Sequence, residues 1–141
     1  MTPEMTAKLR KSLVAHEGYS THLYADTVGK QTIGIGYCIS DRGLPDTWVN
    51  TQYEEDVNYF YSQLNTFPWF RALNEDRQVA LIDMSFMGLK RFLEFHGMIA
   101  ALSEQNYAMA ASEMLASEWA NQVKGRAITL ANAIRTGVYN P

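Results

Sequence analysis

Apolar residues recur at intervals of three and four positions over most of the chain, which predicts a mainly helical protein. The first helix is expected from about Pro3 to His16, because Thr2 and Pro3 form an N-cap followed by proline at the first helical position. The apolar residues that mark the expected helices are Met5, Leu9 and Leu13; Val57, Phe60, Tyr61 and Leu64; Val79, Ile82 and Phe86; Tyr107, Ala111, Met114 and Leu115; and Ala127, Leu130, Ala131 and Ile134.

Polar residues and glycine indicate where several of these helices begin and end. The sequence Thr51-x-x-Glu54 is a capping box, and Asn74 and Ser103 are typical N-cap residues. Gly137 is expected to end the last helix, because glycine readily adopts the left-handed conformation found beyond helix C-termini.

The segment from Thr21 to Ile39 has a β-like composition that glycine interrupts. Residues 26–30 predict a hairpin loop, after which large and small side chains alternate. Strand alternation would place each set on one face. The large residues are Ile33, Ile35 and Tyr37, and the small ones are Thr32, Gly34 and Gly36. Either the strand needs glycine for its backbone, or the bare face is a floor on which a ligand approaches the main chain.

A helix, a small β-rich segment and a larger helical body together predict an α+β fold with strands segregated from helices. A cleft between the small sheet and the helical lobe would be a natural place for a substrate. The length of 141 residues is that of a single domain. With 47% apolar and 19% charged residues, the composition excludes an intrinsically disordered chain.

The cysteine and histidine content limits the possible metal chemistry. Cys38 is the single cysteine, so an intrachain disulfide and a multi-cysteine metal site are excluded. We expect it to be a reduced thiol. The three histidines stand at no recognised ligand spacing, and no metal or other cofactor is expected.

The net charge of −3 argues against a nucleic-acid partner. Residues 120–141 nevertheless carry Lys124, Arg126 and Arg135 without an acidic residue. This bias either follows the preference of helix C-termini for cations or forms a local surface that attracts anions. The opening residues lack the apolar core of a signal peptide, and no stretch is apolar and long enough for stable membrane insertion. A product of the cytoplasm is therefore expected.

Three polar residues in and beside the β-rich segment suggest acid–base chemistry. Glu17 stands at the expected end of the first helix, where the helix dipole disfavours a negative charge. Because the dipole favours the protonated carboxyl group there, Glu17 is suited to donate a proton. Asp26 begins the hairpin loop, and Thr32 opens the following strand. Taken singly, these are an exposed glutamate, a turn-forming aspartate and a strand threonine.

Taken together, the three residues fit the hydrolysis of a glycosidic bond. Such a reaction needs an acid for the leaving oxygen and a carboxylate on the other face of the sugar. Glu17 would supply the acid, while Asp26 and the Thr32 hydroxyl would hold one water molecule in line. A positioned water implies a single displacement, with inversion at the anomeric carbon.

Three sequence blocks in this order are similar to the phage-type lysozymes, glycoside hydrolase family twenty-four. The blocks are Glu17-Gly18, Leu23-Tyr24-x-Asp26, Gly29 and Thr32-Ile33-Gly34-Ile35-Gly36; Ala80-Leu81-Ile82-x-Met84-x-Phe86; and Trp119-x-Asn121-Gln122, Arg126-Ala127 and Ile134-Arg135-Thr136-Gly137. The spacing E-x8-D-x5-T is that family's catalytic signature. The resemblance implies a two-lobed lysozyme fold, with a small β-rich lobe at about 17–50, a helical lobe at 1–16 and 51–141, and the active site between them.

The resemblance further implies a muramidase that cleaves the β-1,4 bond between N-acetylmuramic acid and N-acetylglucosamine. Glu17 would be the proton donor, and Asp26 and Thr32 would position and activate water. Arg126 matches a family arginine that pairs with the catalytic glutamate, and Gln122 matches a polar residue on the same wall.

Two further residues, Cys38 and Phe86, fall where the family lines its saccharide cleft. The chain departs from the family at Tyr37, where histidine is common. It also has its own sequence at residues 40–50, and its net charge is acidic where many muramidases are basic.

The expected partner is the glycan strand of bacterial peptidoglycan, bound by a monomer. The leading hypothesis is a phage endolysin, a bacteriolytic enzyme that is made in the host cytoplasm and reaches the wall in the periplasm through a separate holin-like pore. The same domain could instead belong to a virion or a secretion machine. A non-catalytic peptidoglycan-binding or virion structural module that retains the fold is the alternative.

Overall fold

The computed structural model describes residues 1–141, which form ten helices and one small sheet. The helices are α1 (Pro3–Glu17), α2 (Ile39–Arg42), α3 (Asp46–Leu64), α4 (Pro68–Arg71), α5 (Glu75–Ser85), α6 (Leu89–Leu93), α7 (His96–Ser103), α8 (Tyr107–Leu115), α9 (Glu118–Val123) and α10 (Gly125–Thr136). The strands are β1 (Ser20–Ala25), β2 (Gln31–Gly34) and β3 (Tyr37–Cys38). The predicted α+β class is confirmed. No helix is sufficiently long and apolar to cross a membrane.

The chain divides into two compact units, Met1–Gln52 and Tyr53–Pro141. The first unit contains the sheet and α1, whereas the family resemblance implies a helical lobe that includes residues 1–16. The assignment of one lysozyme domain with lobes at 17–50 and at 1–16 and 51–141 stays a prediction.

The sheet is antiparallel in the order β1-β2-β3. Tyr24 pairs with Thr32, and Thr32 pairs with Cys38, so these three residues stand opposite one another across the sheet. The predicted hairpin loop is confirmed, because Asp26 N donates to Lys30 O at 2.9 Å.

One continuous strand through residue 37 is a wrong prediction. Gly34 and Gly36 have φ angles of 66° and 67°, and the chain reverses between β2 and β3. Tyr37 therefore pairs with Ile33 across the ladder. Only glycine adopts this left-handed conformation at little cost, so the structure favours the backbone interpretation of these glycines.

The second unit contains all of the buried apolar residues. Within it, α10 packs against α5, α8 and α9, and α7 packs against α8. Phe70, Phe92, Leu81 and Met84 are among the fully buried side chains. Burying a side chain of this size contributes about 1.5–3 kcal/mol relative to its exposure, so this core is the main source of the unit's stability.

Local capping signals determine several of the observed helix ends. Thr2 accepts a hydrogen bond from Met5 N at the start of α1, and Asn74 accepts one from Arg77 N at the start of α5. Gly137 ends α10 in the left-handed conformation. These three predictions are confirmed.

Two predicted helix starts are wrong. Thr51 lies inside α3, which begins at Asp46. The helix begins there because Pro45 precedes Asp46, and the carbonyl oxygen of Pro45 accepts hydrogen bonds from the first helical N–H groups. Ser103 is the last residue of α7, and its hydroxyl donates to the carbonyl of Ile99.

The helix predicted to start at Ser103 begins four residues later. Asn106 caps α8 by accepting a hydrogen bond from Met109 N at 3.1 Å.

Two apolar stripes predicted from spacing are not core. No residue of α1 is buried, and Met5, Leu9 and Leu13 remain exposed. On α5 the buried face is Ala80, Leu81, Met84 and Ser85, whereas Val79 and Phe86 are 47% and 45% exposed.

Candidate functional site

Glu17 is the last residue of α1, and both its backbone and its side chain contact the sheet segment. Tyr24 on β1 donates its hydroxyl proton to the Glu17 carbonyl at 2.9 Å. The Glu17 side chain lies against Gly36 in the β2–β3 turn. Because Tyr24 pairs with Thr32, these contacts bring the end of α1 to the same strands that carry Thr32.

Asp26 organises the hairpin loop with one of its two carboxylate oxygens. Its Oδ1 accepts hydrogen bonds from Val28 N at 2.9 Å and from Lys30 N at 2.8 Å. These are the bonds of a turn-forming aspartate. Oδ2 makes neither of them, so the carboxylate keeps an oxygen that can accept a hydrogen bond from a water molecule.

Thr32 is buried, with only 3% of its surface exposed. Its hydroxyl donates to Lys30 O at 3.2 Å, and the same carbonyl accepts the N–H of Asp26. Asp26 and Thr32 therefore share one hydrogen-bond acceptor. Since the hydroxyl proton of Thr32 is already used, this group can offer only its lone pairs to a water molecule.

Cys38 pairs with Thr32 across the ladder and is half-buried. Asp41, three residues further along the chain, forms an ion pair with Lys30. The hydrogen bond from Lys30 holds the pKa of Asp41 below its usual value, and the same bond raises the pKa of Lys30. The loop that contains Asp26 is thus tied at Lys30 to the first turn of α2.

Tyr37, the residue that departs from the family pattern, joins three elements of the first unit. Its ring lies 4.9 Å from that of Trp48 on α3, and the guanidinium of Arg42 is 4.3 Å from its centroid. Its hydroxyl donates to Gly43 O at 2.8 Å. The tyrosine therefore fixes β3 through cation–π and aromatic contacts.

Phe86 and Arg126, two predicted substrate-binding residues, line one cavity in the second unit. The cavity has a volume of about 530 Å³. Its other lining residues are Tyr53, Val57, Val79, Ile82, Asp83 and Tyr139. Val79 and Ile82 on α5, and Phe86 directly after its end, therefore face a cavity, which is why Val79 and Phe86 are not part of the core.

Arg126 forms an ion pair with Asp83. Its Nε donates to Asp83 Oδ1 at 2.8 Å, and its Nη2 donates to the main-chain oxygen of Asp83 at 2.7 Å. The pairing of Arg126 with Glu17 stays a prediction. Gln122 lies exposed near the end of α9 and is not among the residues that line the cavity.

Sequence reasoning missed Asp83 and Tyr139 in this cavity. Asp83 stands three positions before Phe86, so helical spacing puts its carboxylate beside that ring. This spacing of Asp83 and Phe86 is visible in the sequence. Tyr139 follows the helix-ending Gly137 and has no periodic signal. No three His, Cys, Asp or Glu side chains converge where they could hold a metal ion.

Comparison with known proteins covers most of the chain. Residues 14–134 match the family described as phage lysozyme. The probable T4-type lysozyme 1 of Dictyostelium discoideum is 25% identical, over 96% of this chain and 98% of that protein. The probable T4-type lysozyme 2 of the same organism is 23% identical, over 94% of this chain and 96% of that protein.

A third relative is a much longer protein. The pre-baseplate central spike protein Gp5 of Enterobacteria phage T4 is 28% identical over 86% of this chain, but the match spans only 26% of the spike protein. Domains similar to this chain thus occur both as nearly whole proteins and as parts of larger ones.

Proposed function

Because the chain belongs to the phage lysozyme family, we propose that it is a muramidase that hydrolyses the β-1,4 bond between N-acetylmuramic acid and N-acetylglucosamine in bacterial peptidoglycan. The observation that carries the proposal is the linkage of Glu17, Asp26 and Thr32 within one compact unit. Tyr24 joins the end of α1 to β1, and Lys30 O joins Asp26 to Thr32.

In the proposed reaction Glu17 protonates the glycosidic oxygen as the bond to the anomeric carbon breaks. Its side chain is exposed, so it can reach a bound sugar. Oδ2 of Asp26 accepts a proton from the attacking water, and the Thr32 oxygen accepts that water's second hydrogen bond. The water attacks from the face opposite the leaving group, which inverts the anomeric configuration.

The main test compares Glu17→Gln with the wild type on isolated Gram-negative sacculi. The wild type should release new reducing ends, and Glu17→Gln should lose at least about 10²-fold in rate because the proton donor is gone. Glu4→Gln is the matched control, since Glu4 lies on the same helix and is also exposed. Equal rates for the two variants would contradict the role of Glu17.

The stereochemistry tests the positioned water separately. NMR spectra recorded during the first turnovers should show the α-anomer of the newly released N-acetylmuramic acid end. Initial release of the β-anomer would overturn the assignment of Asp26 and Thr32 to water, while leaving the muramidase proposal intact.

The alternative is a non-catalytic peptidoglycan-binding or virion structural module. The observation that supports this alternative is the similarity of the chain to part of a phage spike protein. Such a module predicts that wild type and Glu17→Gln sediment with sacculi equally and that neither releases reducing ends.

The proposal also includes the route by which the protein reaches the cell wall. As an endolysin, the protein would be a monomer made in the host cytoplasm, would need no cofactor or nucleic acid, and would reach the periplasm through a separate holin-like pore. Expression in a Gram-negative host should then cause lysis only when a membrane pore is co-expressed. Lysis by the protein alone would contradict this delivery route.

A further inference from the structure

The last residues of the chain are held along α5 by three hydrogen bonds. Asn74 donates its side-chain amide to Gly137 O at 2.8 Å, and Tyr139 N donates to Asp76 Oδ2 at 3.1 Å. The Tyr139 hydroxyl donates to Asp83 Oδ2 at 3.1 Å. Asp76 and Asp83 stand two turns apart, about 10 Å along the helix. Tyr139 therefore lies along α5, with its backbone N–H bonded to one aspartate and its hydroxyl bonded to the other.

Asp83 is the link between Tyr139 and Arg126. Its Oδ2 accepts from Tyr139, while its Oδ1 and its main-chain oxygen accept from Arg126. The two carboxylate oxygens are thus held by different elements, the C-terminal tail and α10. The guanidinium uses Nε and Nη2 for these bonds, which leaves Nη1 for a ligand.

An ion pair as accessible as this one ordinarily contributes little and changes geometry readily. The side chains of Arg126 and Asp83 are 47% and 33% exposed, and exposed pairs are worth about 0–1 kcal/mol. A third bonding partner changes this behaviour, because it fixes the carboxylate plane that orients the guanidinium fork.

The cavity beside this network suits a neutral ligand with apolar groups. Its two charged lining residues, Asp83 and Arg126, are paired with each other, and most of the remaining wall is aromatic or aliphatic. In a mostly apolar cavity a few polar groups held in fixed directions orient a ligand, and the Arg126 guanidinium is a hydrogen-bond donor in this wall.

We propose that Tyr139 is a positioning residue, which acts through Asp83 to hold the Arg126 guanidinium in the orientation that binds the glycan. The inference rests on the proposed function for the identity of the ligand, and on the hydrogen-bonded chain Tyr139–Asp83–Arg126 for the positioning. It makes the C-terminal tail part of the binding wall and not only a packing element.

The test uses Tyr139→Phe in the full chain and follows the Arg126 Nε–H proton by NMR, assigned with Arg126→Lys. Loss of the hydroxyl should speed the exchange of this proton with water about five-fold, the factor that corresponds to one ordinary hydrogen bond. The KM for sacculi should rise by a similar factor with kcat unchanged, because a binding contact is loosened. Tyr59→Phe is the control, since Tyr59 is exposed and lies outside the cavity.

A second variant tests the backbone anchor of Tyr139 instead of its hydroxyl. Asp76→Ala removes the backbone anchor of Tyr139 and leaves its hydroxyl in place, so it should also speed exchange at Arg126. Unchanged exchange in both variants would overturn the proposal.

The exchange rate tests whether Tyr139 positions Arg126, whereas KM and the release of reducing ends test glycan binding and the muramidase proposal. Faster exchange with an unchanged KM would overturn the link to glycan binding. If the wild type itself released no reducing ends, the muramidase proposal would fail, and the exchange measurement would still decide whether Tyr139 positions Arg126.

Discussion

Gly36 lies directly against the side chain of Glu17. A Cβ atom at position 36 would stand 2.9 Å from Glu17 Cβ and 3.0 Å from its Cγ. Real Cβ atoms do not approach carbon so closely, so an alanine here would have to displace the proposed proton donor. The glycine thus serves two purposes, a left-handed turn and a space for Glu17.

Gly36→Ala should therefore impair activity beyond its effect on stability. A non-glycine residue in a left-handed conformation costs about 1–2 kcal/mol, and displacing a reacting group by about 1 Å can cost about 10²-fold in rate. Gly34→Ala is a close control, because Gly34 has nearly the same φ and nothing within 4 Å of the added Cβ. Urea unfolding and reducing-end assays would show similar stabilities but a rate loss confined to Gly36→Ala. Equal rate losses would mean that only the turn matters.

Asp26 can be tested for its structural and its catalytic role with two substitutions. Asp26→Asn keeps an oxygen that can accept from Val28 N and Lys30 N, whereas Asp26→Ala leaves both donors without this partner. Only the alanine variant should lose about 1–3 kcal/mol of stability. Both should lose about 10²–10⁴-fold in rate, since neither carries a carboxylate. Near-normal activity of Asp26→Asn would show that Asp26 only forms the turn.

Tyr139 should make stability depend on pH in the alkaline range. Burial raises the pKa of Tyr139 above its ordinary value of 10.0, and the charge of Asp83 and their hydrogen bond raise it further, against a smaller opposing effect of Arg126. Since the neutral phenol is favoured in the folded state, its contribution is complete below about pH 10 and is lost as the pH rises. Unfolding midpoints of Tyr139→Phe should fall less steeply than those of the wild type above about pH 10. Parallel curves would contradict this contribution.

The start of α8 can be checked by removing each candidate cap. Asn106→Ala should cost about 1 kcal/mol, because it removes the acceptor for Met109 N. Ser103→Ala should change stability by less than about 0.5 kcal/mol, since its hydroxyl bonds a carbonyl of its own helix. Urea denaturation of the two variants measures the difference. A larger cost for Ser103→Ala would restore the helix start that the sequence predicted.

Much of the fold and part of the candidate site follow from local rules that a sequence reveals. The caps at Thr2, Asn74 and Gly137 depend on bonds between residues three or four positions apart. The spacing of Asp26 and Thr32 is set by one hairpin loop. At Ser103 the local pattern predicted the wrong helix start, because Asn106 caps α8 in the structure.

The tertiary structure decided what no local pattern could. Whether the stripe of Val79 and Phe86 is core or cavity wall depends on which residues pack opposite it. The bonds of Asp83 to Arg126 and Tyr139 cross 43 and 56 positions of sequence. Such bonds form only after α5, α10 and the C-terminal tail have packed together, because a hydrogen bond needs its two groups within about 3 Å. Helical periodicity specifies which face a residue occupies, and only the packed chain specifies its partner.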